Sequence, residues 1–226
     1  MPSIELITVA GVDAVAHWKQ LREQYDSTGK YPVLLGSRRD YDAWCKRRVD
    51  SSSNAEILAE ARTVAFPDWF LERRNAELDP SPADRDMWPS EPPEPIDIAA
   101  HLEPESGLPR AEALVGLVPC ASPPELFGQL PWGGWSDCPW PAEHAAVMRY
   151  WLDKYGAEVV SITQDTIECH VARPPRDRDA AIRLAKEQMA YCESITEGGT
   201  LCAATVAAGL LTSHTWYFWW SEKEPA

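Results

Sequence analysis

Three polar residues in the second half of the chain have the side chains that acid–base catalysis uses. Ser161, Glu168 and His170 lie in EVVSITQDTIECHVA, which predicts two strands joined by a tight turn at Gln164-Asp165. A two-residue turn places Ser161 opposite Glu168, with their Cβ atoms about 5 Å apart. His170 then lies about 7 Å away on the same face. A carboxylate that orients an imidazole raises its basicity, as a general base requires.

The competing interpretation of these residues is an exposed polar sheet face, and we favour it. Ser, Thr, Glu and His are the residues expected where a sheet meets water. The same register pairs Ile162 with Ile167, Val160 with Cys169, Val159 with His170, and Thr163 with Thr166. No GxSxG elbow supports a reactive serine. Ser161, Glu168 and His170 are therefore weak catalytic candidates.

A second candidate site is the glycine- and tryptophan-rich loop that precedes a predicted helix. The segment reads LPWGGWSDCPWPAEHAAVMRYWLDKYGAE, and its Pro141 is typical of a first helical turn. Free N–H groups at a helix start can bind an anion, and indole rings could wall such a pocket. The alternative is a simple turn with its tryptophans packed inward. Any ligand or partner contact is expected here, at Trp132, Gly133, Gly134, Trp135, Trp140, Glu143 and His144.

Cysteine and histidine residues could in principle bind zinc, but their spacing argues against it. The candidates are Cys138, His144, Cys169, His170, Cys192 and His214. They form no CxxC or HxxxH pair. Cys169 and His170 are adjacent in a predicted strand, so they point to opposite faces. We predict packed thiols and histidines, with no metal site and no cofactor.

Composition limits the class of partner and the location of the protein. The formal net charge is −14, so the chain should repel nucleic acid and favour a partner with a basic face. No segment has the roughly 18 apolar residues of a membrane span, and the start does not resemble a signal peptide. Six cysteines without an export signal indicate reduced thiols. We expect a cytoplasmic protein that binds neither nucleic acid nor membrane, in an oligomeric state that the sequence leaves open.

Hydrophobic patterns predict a mixed α/β (α+β) fold, with a central mixed sheet covered by helices. Short apolar segments at Ile4–Val9, Tyr31–Gly36 and Leu114–Val118 are typical of strands. A β-hairpin at about residues 158–172 and a buried C-terminal strand, TWYFWW, complete the sheet. Apolar spacing and capping residues predict helices at Asp13–Tyr25, Ser53–Ala65, Pro141–Tyr155, Asp177–Cys192 and Thr200–Leu211.

Residues 79–110 differ from the rest of the chain in composition. They contain eight prolines, and eight acidic residues against two arginines. Such a segment buries too little apolar surface to order itself well, which favours a linker or long surface loop. We expect one compact domain, residues 1–226, that carries this segment as an excursion. The alternative is an N-terminal subdomain of residues 1–78 and a C-terminal domain of residues 111–226.

The second half of the chain resembles an uncharacterised bacterial family known as domain of unknown function 4253. The resemblance covers about residues 114–220 and is carried by PWPAEHAAVMRYWLDKYGAE, DTIECHVARPP, the AYC that ends at Cys192, and WYFWW. GVDAVAHWKQLREQY and YPVLLGS are similar to the segment that precedes this domain in longer members. Glu193-Ser194 stands where the family has a Pro-Asp turn. The resemblance implies no activity and no site residue.

No motif assigns a function. Seven of the eleven tryptophans lie between Trp132 and Trp220, which indicates a dense core. An acidic, tryptophan-rich chain without a catalytic signature is typical of a binding or interaction protein, such as an inhibitor or an immunity protein. The alternatives are a hydrolase-type enzyme and a small-ligand sensor, using the Trp132–His144 loop or the face of Glu168 and His170.

Overall fold

A six-stranded mixed sheet forms the centre of the computed structural model, which describes residues 4–47, 52–196 and 202–220. The strands are β1 (Glu5–Ala10), β2 (Lys30–Leu34), β3 (Glu112–Pro119), β4 (Ala157–Ile162), β5 (Thr166–Val171) and β6 (Thr215–Trp219). Their order is β1-β3-β2-β4-β5-β6, and only β2 and β4 pair in parallel. The mixed fold predicted from the sequence is confirmed.

Helices surround the sheet. They are α1 (Ala14–Glu23), α2 (Tyr25–Thr28), α3 (Arg38–Arg47), α4 (Asn54–Ala61), α5 (Asp68–Arg74), α6 (Pro82–Asp86), α7 (Leu126–Gln129), α8 (Pro141–Tyr155), α9 (Arg178–Tyr191) and α10 (Ala203–Leu210). Short 3-10 turns occupy Gly11–Asp13, Pro123–Glu125 and Glu193–Thr196. No helix of the described residues is long and apolar enough to cross a membrane.

Local sequence signals account for several helix ends. Ser53 and Glu56 form a reciprocal capping box at the start of α4, and the Asp177 carboxylate accepts a bond from the Ala180 N–H at 2.8 Å. Gly156 ends α8 in the left-handed conformation, at φ +61°. Asp13 precedes α1 without a side-chain capping bond. Thr200, predicted to cap the last helix, lies outside the described residues.

The two sheet faces are covered differently. Helices α4, α5, α8, α9 and α10 contribute to the larger core, while α1 packs on the opposite face. There Trp18 donates its indole N–H to the Pro32 carbonyl at 3.0 Å. Residues 93–104, here called the covering segment, extend to this second face, where Ile98 and Ala100 join the apolar cluster around α1. Part of the proline-rich stretch therefore buries sheet surface.

The hairpin of β4 and β5 has the predicted turn but a different register beyond it. Ile162 pairs with Ile167, and Ser161 pairs with Glu168, as predicted. The predicted opposition of Val160 to Cys169, and of Val159 to His170, is wrong. A β-bulge between Val159 and Ser161 leaves Cys169 opposite Val159 and His170 opposite Glu158. An extra residue on one strand shifts every later pair by one position, and alternation alone does not predict it.

The C-terminal strand is buried, as predicted, although it lies at an edge of the sheet. Trp216, Phe218 and Trp220 are each no more than 2 % exposed. Trp151 of α8 stacks on Phe218 with 5.5 Å between ring centroids and meets Trp216 edge-on at 5.4 Å. These aromatic contacts fix β6 against the helices that cover the larger core.

Candidate functional site

Ser161 and Glu168 come together in the interior of the protein. The Ser161 hydroxyl donates to Glu168 Oε2 at 2.7 Å, and both residues are almost fully buried. The backbone N–H groups of Ala99 and Ala100 donate to the same carboxylate at 2.6 and 3.1 Å. The expectation of an exposed polar face is therefore wrong here, because the covering segment lies over it. Burial raises the pKa of Glu168, and these hydrogen bonds oppose the shift.

His170 is separate from this pair. It is exposed, and its ring lies 6.3 Å from the ring of His214, centroid to centroid. Its pKa is lowered, first by partial burial and then by the neighbouring His214. Glu168 already accepts three hydrogen bonds, two of which hold the covering segment. The predicted acid–base group is thus divided between a structural carboxylate and a surface histidine, which gives no support to hydrolase chemistry at this face.

The glycine- and tryptophan-rich loop folds inward on itself. We call residues 130–144 the aromatic loop. Trp132 is fully buried and donates its indole N–H to the Thr163 carbonyl at 2.8 Å. Gly133 and Gly134 have φ values of +106° and +82°, and the Gly134 N–H donates to the Pro139 carbonyl at 2.8 Å. The two glycines therefore close a turn that only residues without a side chain adopt readily.

His144 lies at the centre of this loop, out of contact with solvent. Its Nδ1 is 2.6 Å from the Tyr191 hydroxyl, and its Nε2 is 3.4 Å from Cys138 Sγ. Burial lowers the pKa of His144 well below its ordinary value, and burial raises the pKa of Cys138 well above its own. A neutral imidazole beside a protonated thiol is not an activated nucleophile. The rings of Phe127, Trp132 and Trp220 complete the enclosure.

Glu143 occupies the helix start at which an anion was expected. Its Oε2 accepts a hydrogen bond from the Trp140 N–H at 2.7 Å, and its Oε1 accepts from the Trp69 indole at 2.9 Å. Arg73 lies 4.0 Å from the same carboxylate. A negative group already fills this position, which weakens the case for anion binding. Trp135 is half-buried, and Trp140, at 51 % exposed, is the most accessible indole of the loop.

A mostly apolar open space among the described residues lies elsewhere, beside β6. We call it the edge groove, a mostly apolar depression of about 340 Å³ between α9, α10, β6 and the covering segment. Its lining includes Ile96, Gln188, Ile195, Val206, Leu210 and Tyr217. Its volume lies at the lower end of the range typical of ligand sites. None of these residues belongs to the site predicted from the sequence.

The backbone of β6 is open toward this groove at Tyr217. Hydrogen-bonded residue pairs alternate with non-bonded pairs along antiparallel strands. Trp220 and Asp165 form a hydrogen-bonded pair, because the Trp220 N–H donates to the Asp165 carbonyl at 3.0 Å. Tyr217, three residues before Trp220, lies opposite Glu168, so this pair is a non-bonded one. The alternation therefore turns the N–H and C=O of Tyr217 away from β5. Within the described residues no strand pairs with that outer edge.

Both backbone groups of Thr215 and the carbonyl of Trp219, on the same edge, already have partners. The Thr215 carbonyl accepts from the Ser213 hydroxyl at 2.6 Å, and the Trp219 carbonyl accepts from the Cys192 thiol at 3.1 Å. Tyr217 therefore provides the open donor and acceptor at the middle of the strand. Its ring is 41 % exposed.

A buried amide in the wall of the groove also lacks a partner. The side chain of Gln188 on α9 is 1 % exposed, and its Nε2 has no hydrogen-bond partner among the described residues. Its neighbour Glu187 is equally enclosed but accepts bonds from Tyr150, Trp151 and Lys154. An unsatisfied buried amide is costly, so its position beside the groove indicates a place where a ligand can complete the pairing.

Sequence reasoning missed the edge groove because its signals are not local. TWYFWW is apolar throughout, so alternation does not reveal which backbone groups of Tyr217 remain open. Gln188 lies in an amphipathic helix, where a glutamine is ordinarily solvated. A proline-rich segment beside a terminal strand gives no spacing that indicates a groove. No three His, Cys, Asp or Glu side chains in the described ranges are placed to hold a metal ion.

Comparison with known proteins identifies a family. Residues 114–221 match the family model described as Domain of unknown function (DUF4253), which spans β3 to the residue after Trp220. No curated protein and no solved structure matches the chain. The matched region contains the aromatic loop, β6 and Gln188, whereas the covering segment precedes it.

Proposed function

We propose that this chain, whose residues 114–221 match the DUF4253 family model, is a binding module that takes an extended segment of a partner protein into its edge groove. The observation that carries the proposal is the open N–H and C=O of Tyr217 at the floor of an apolar groove. An extended peptide can pair with such an edge as an additional strand, while its alternate side chains enter the groove.

Charge supports a basic partner. The chain carries a formal net charge of −14, and Glu94 lines the groove itself. Lysine or arginine side chains of an extended segment, on the face that points to solvent, would be attracted to this surface. Electrostatic attraction mainly raises the association rate, and salt screens it. The proposed partner segment is therefore extended, apolar on one face and basic on the other.

A peptide library tests this proposal. Nine-residue peptides with alternating apolar and variable positions are bound to the full chain, and the variable positions are either lysine or glutamate. We expect the lysine set to bind and its affinity to fall as the salt concentration rises. Equal binding of the glutamate set, or no binding by any member, would contradict the proposal.

Two proline variants locate the interaction. Tyr217→Pro removes the open N–H but no hydrogen bond to β5. Proline is tolerated on an edge strand at such a position, where the N–H points away from the sheet. Thr8→Pro is the matched control on β1, the opposite edge. Thr8 lies opposite Leu114 of β3. The N–H of Leu114 donates to the Gly36 carbonyl and its C=O accepts from the Leu35 N–H, so neither group bonds to Thr8. The backbone N–H and C=O of Thr8 therefore point outward, as those of Tyr217 do. Peptide affinity should fall at least tenfold in Tyr217→Pro and stay unchanged in Thr8→Pro.

Hydrogen exchange gives a readout that needs no variant. The Tyr217 amide should exchange quickly in the free protein and become protected when a peptide pairs with it. The Phe218 amide, which points toward Ile167 of β5, should be protected in both states. A Tyr217 amide that exchanges equally fast with and without bound peptide would argue against strand pairing.

A small apolar molecule is the second candidate occupant, favoured by the volume of about 340 Å³. A peptide would form hydrogen bonds with the backbone of Tyr217, whereas a small apolar molecule would not need them. A small molecule that quenches tryptophan emission and still binds Tyr217→Pro with full affinity would replace the peptide as the ligand.

A cytoplasmic location is part of the proposal. All six cysteines are free, and Cys138, Cys169 and Cys192 are buried. Reduced thiols are typical of compartments that do not support disulfides. Alkylation of the denatured protein, extracted under thiol-trapping conditions, should modify all six cysteines; a mass that indicates a disulfide would contradict this location.

A further inference from the structure

The edge groove offers more than an apolar surface, because Gln188 places an unpaired amide in its wall. Gln188 lines the groove on the side of α9, and Tyr217 lines it on the side of β6. The Gln188 side chain is 1 % exposed, and its Nε2 makes no hydrogen bond within the part of the chain that the structure describes. The group that the described residues fail to supply is an acceptor for this buried nitrogen.

The adjacent residue shows that this part of α9 ordinarily satisfies its buried polar groups. Glu187 is 3 % exposed and accepts hydrogen bonds from the Tyr150 hydroxyl at 2.9 Å and the Trp151 indole at 3.0 Å. Lys154 lies 3.2 Å from the same carboxylate. Gln188 differs because its Nε2 has no acceptor among the described residues, and a ligand in the groove that it lines could supply one.

The chemistry of the missing group follows from the amide. A carboxylate could accept from the Gln188 N–H groups but would enter an apolar site without a cation, which is costly. An ammonium group could bind the Gln188 carbonyl but would leave the N–H groups unpaired. A primary carboxamide supplies one acceptor and two donors, so it can form two reciprocal hydrogen bonds with Gln188.

We infer that the edge groove is selective for a segment that presents an asparagine or glutamine side chain to Gln188. This inference rests on the proposed function, since it specifies which residue the added strand inserts into the groove. Ile195, Val206 and Leu210 line the same groove with apolar surface, and a ligand packed against them would limit the water that competes for the hydrogen bonds of the amide. The basic residues of the segment remain on its solvent face.

A set of five peptides tests the inference. The peptides share one sequence of alternating apolar and lysine residues and differ only at the central inward position, which is Gln, Asn, Glu, Leu or Lys. Calorimetry with the full chain should give the highest affinity for Gln or Asn, about tenfold above Leu, because two hydrogen bonds are gained. The Glu and Lys peptides should bind no better than the Leu peptide.

Gln188→Met is the matched variant, since methionine has nearly the same shape without the amide. The preference for Gln or Asn should disappear in this variant, while the Leu peptide should bind at least as well as before. Gln188→Leu provides a second variant should the first fail to fold. Retention of the full preference by either folded variant would overturn the inference.

The outcomes also separate this inference from the proposed function. Equal affinities of the Gln, Asn and Leu peptides for the unmodified chain would refute selectivity at Gln188 and leave strand addition in place. Failure of all five peptides to bind would refute strand addition itself. Free acetamide and propionamide form the last arm, and binding of either as tightly as the Gln peptide would assign the site to a small amide instead.

Discussion

The aromatic loop and the edge groove contrast two ways in which a protein uses aromatic and polar residues together. In the loop, the groups that could do chemistry have partners within the protein: His144 contacts Tyr191 and Cys138, and Glu143 caps Trp140, although the buried indole nitrogen of Trp135 has no partner among the described residues. In the groove, Gln188 and the backbone of Tyr217 lack partners among the described residues. The loop contains the residue types that suggest chemistry, yet the groove has the unused bonding capacity. Residue type alone is thus a weaker guide to a site than unsatisfied pairing.

The largest expected effect tests whether the aromatic loop is a rigid part of the core. A Cβ at Gly133, where φ is +106°, would lie 2.2 Å from the Pro139 carbonyl oxygen and 2.6 Å from His144 Nε2. Gly133→Ala should lower the free energy of unfolding by about 3 kcal/mol or more, because backbone strain adds to the overlap. Urea denaturation measures the loss.

Gly29 provides the control for that substitution. It also has positive φ, at +65°, but no atom lies within 4 Å of an added Cβ. Gly29→Ala should therefore cost only about 1 kcal/mol, the ordinary penalty of the left-handed conformation. If both alanine variants lost the same free energy of unfolding, the aromatic loop would be able to rearrange at little cost. It would then not be a rigid part of the core, and the contrast with the groove would be wrong.

The next prediction compares the stability effects of substitutions at two adjacent residues of α9, Glu187 and Gln188. Glu187→Met should lower the free energy of unfolding by about 3 kcal/mol, because Tyr150 and Trp151 lose their acceptor. Gln188→Met should instead raise it by about 1 kcal/mol, since an unpaired buried amide is removed. Thermal and urea unfolding of the unliganded proteins compare the two. A loss in Gln188→Met similar to that in Glu187→Met would mean that Gln188 is paired in solution.

The smallest effect concerns the covering segment, which walls the groove and is anchored by Glu168. The pKa of Glu168 is raised by burial, so the folded protein takes up a proton at a higher pH than the unfolded chain. The stability contributed by Glu168 should therefore increase as pH falls through its folded pKa and become constant below its ordinary value of 4.5.

Comparison with Glu168→Gln isolates this dependence. As the pH falls toward 4.5, the unfolding free energy of the unmodified protein should rise relative to that of the variant. Exchange at the amides of Ala99 and Ala100 should be faster in the variant at neutral pH, because glutamine is a weaker acceptor than the carboxylate. A difference that is independent of pH would place Glu168 in a more solvated setting.

Much of the fold follows from local patterns. The start of α8 at Pro141, its end at Gly156 and the capping of α9 by Asp177 agree with the structure. The pairing of Ser161 with Glu168 is also predicted, because a two-residue turn fixes the first pairs of a hairpin. The later pairs are not, since the bulge after Val159 depends on packing rather than on alternation.

The sequence by itself determined the strands, the negative net charge, the turn that sets Ser161 against Glu168 and five helices, namely α1, α4, α8, α9 and α10. These depend on residues within a few positions of one another, so short-range periodicity and capping suffice. Only the tertiary structure decided that Ala99 and Ala100 cover Glu168, that β6 lies at an edge and that Gln188 is left unpaired. Each of these depends on contacts between segments distant along the chain, where burial is set by which surfaces meet.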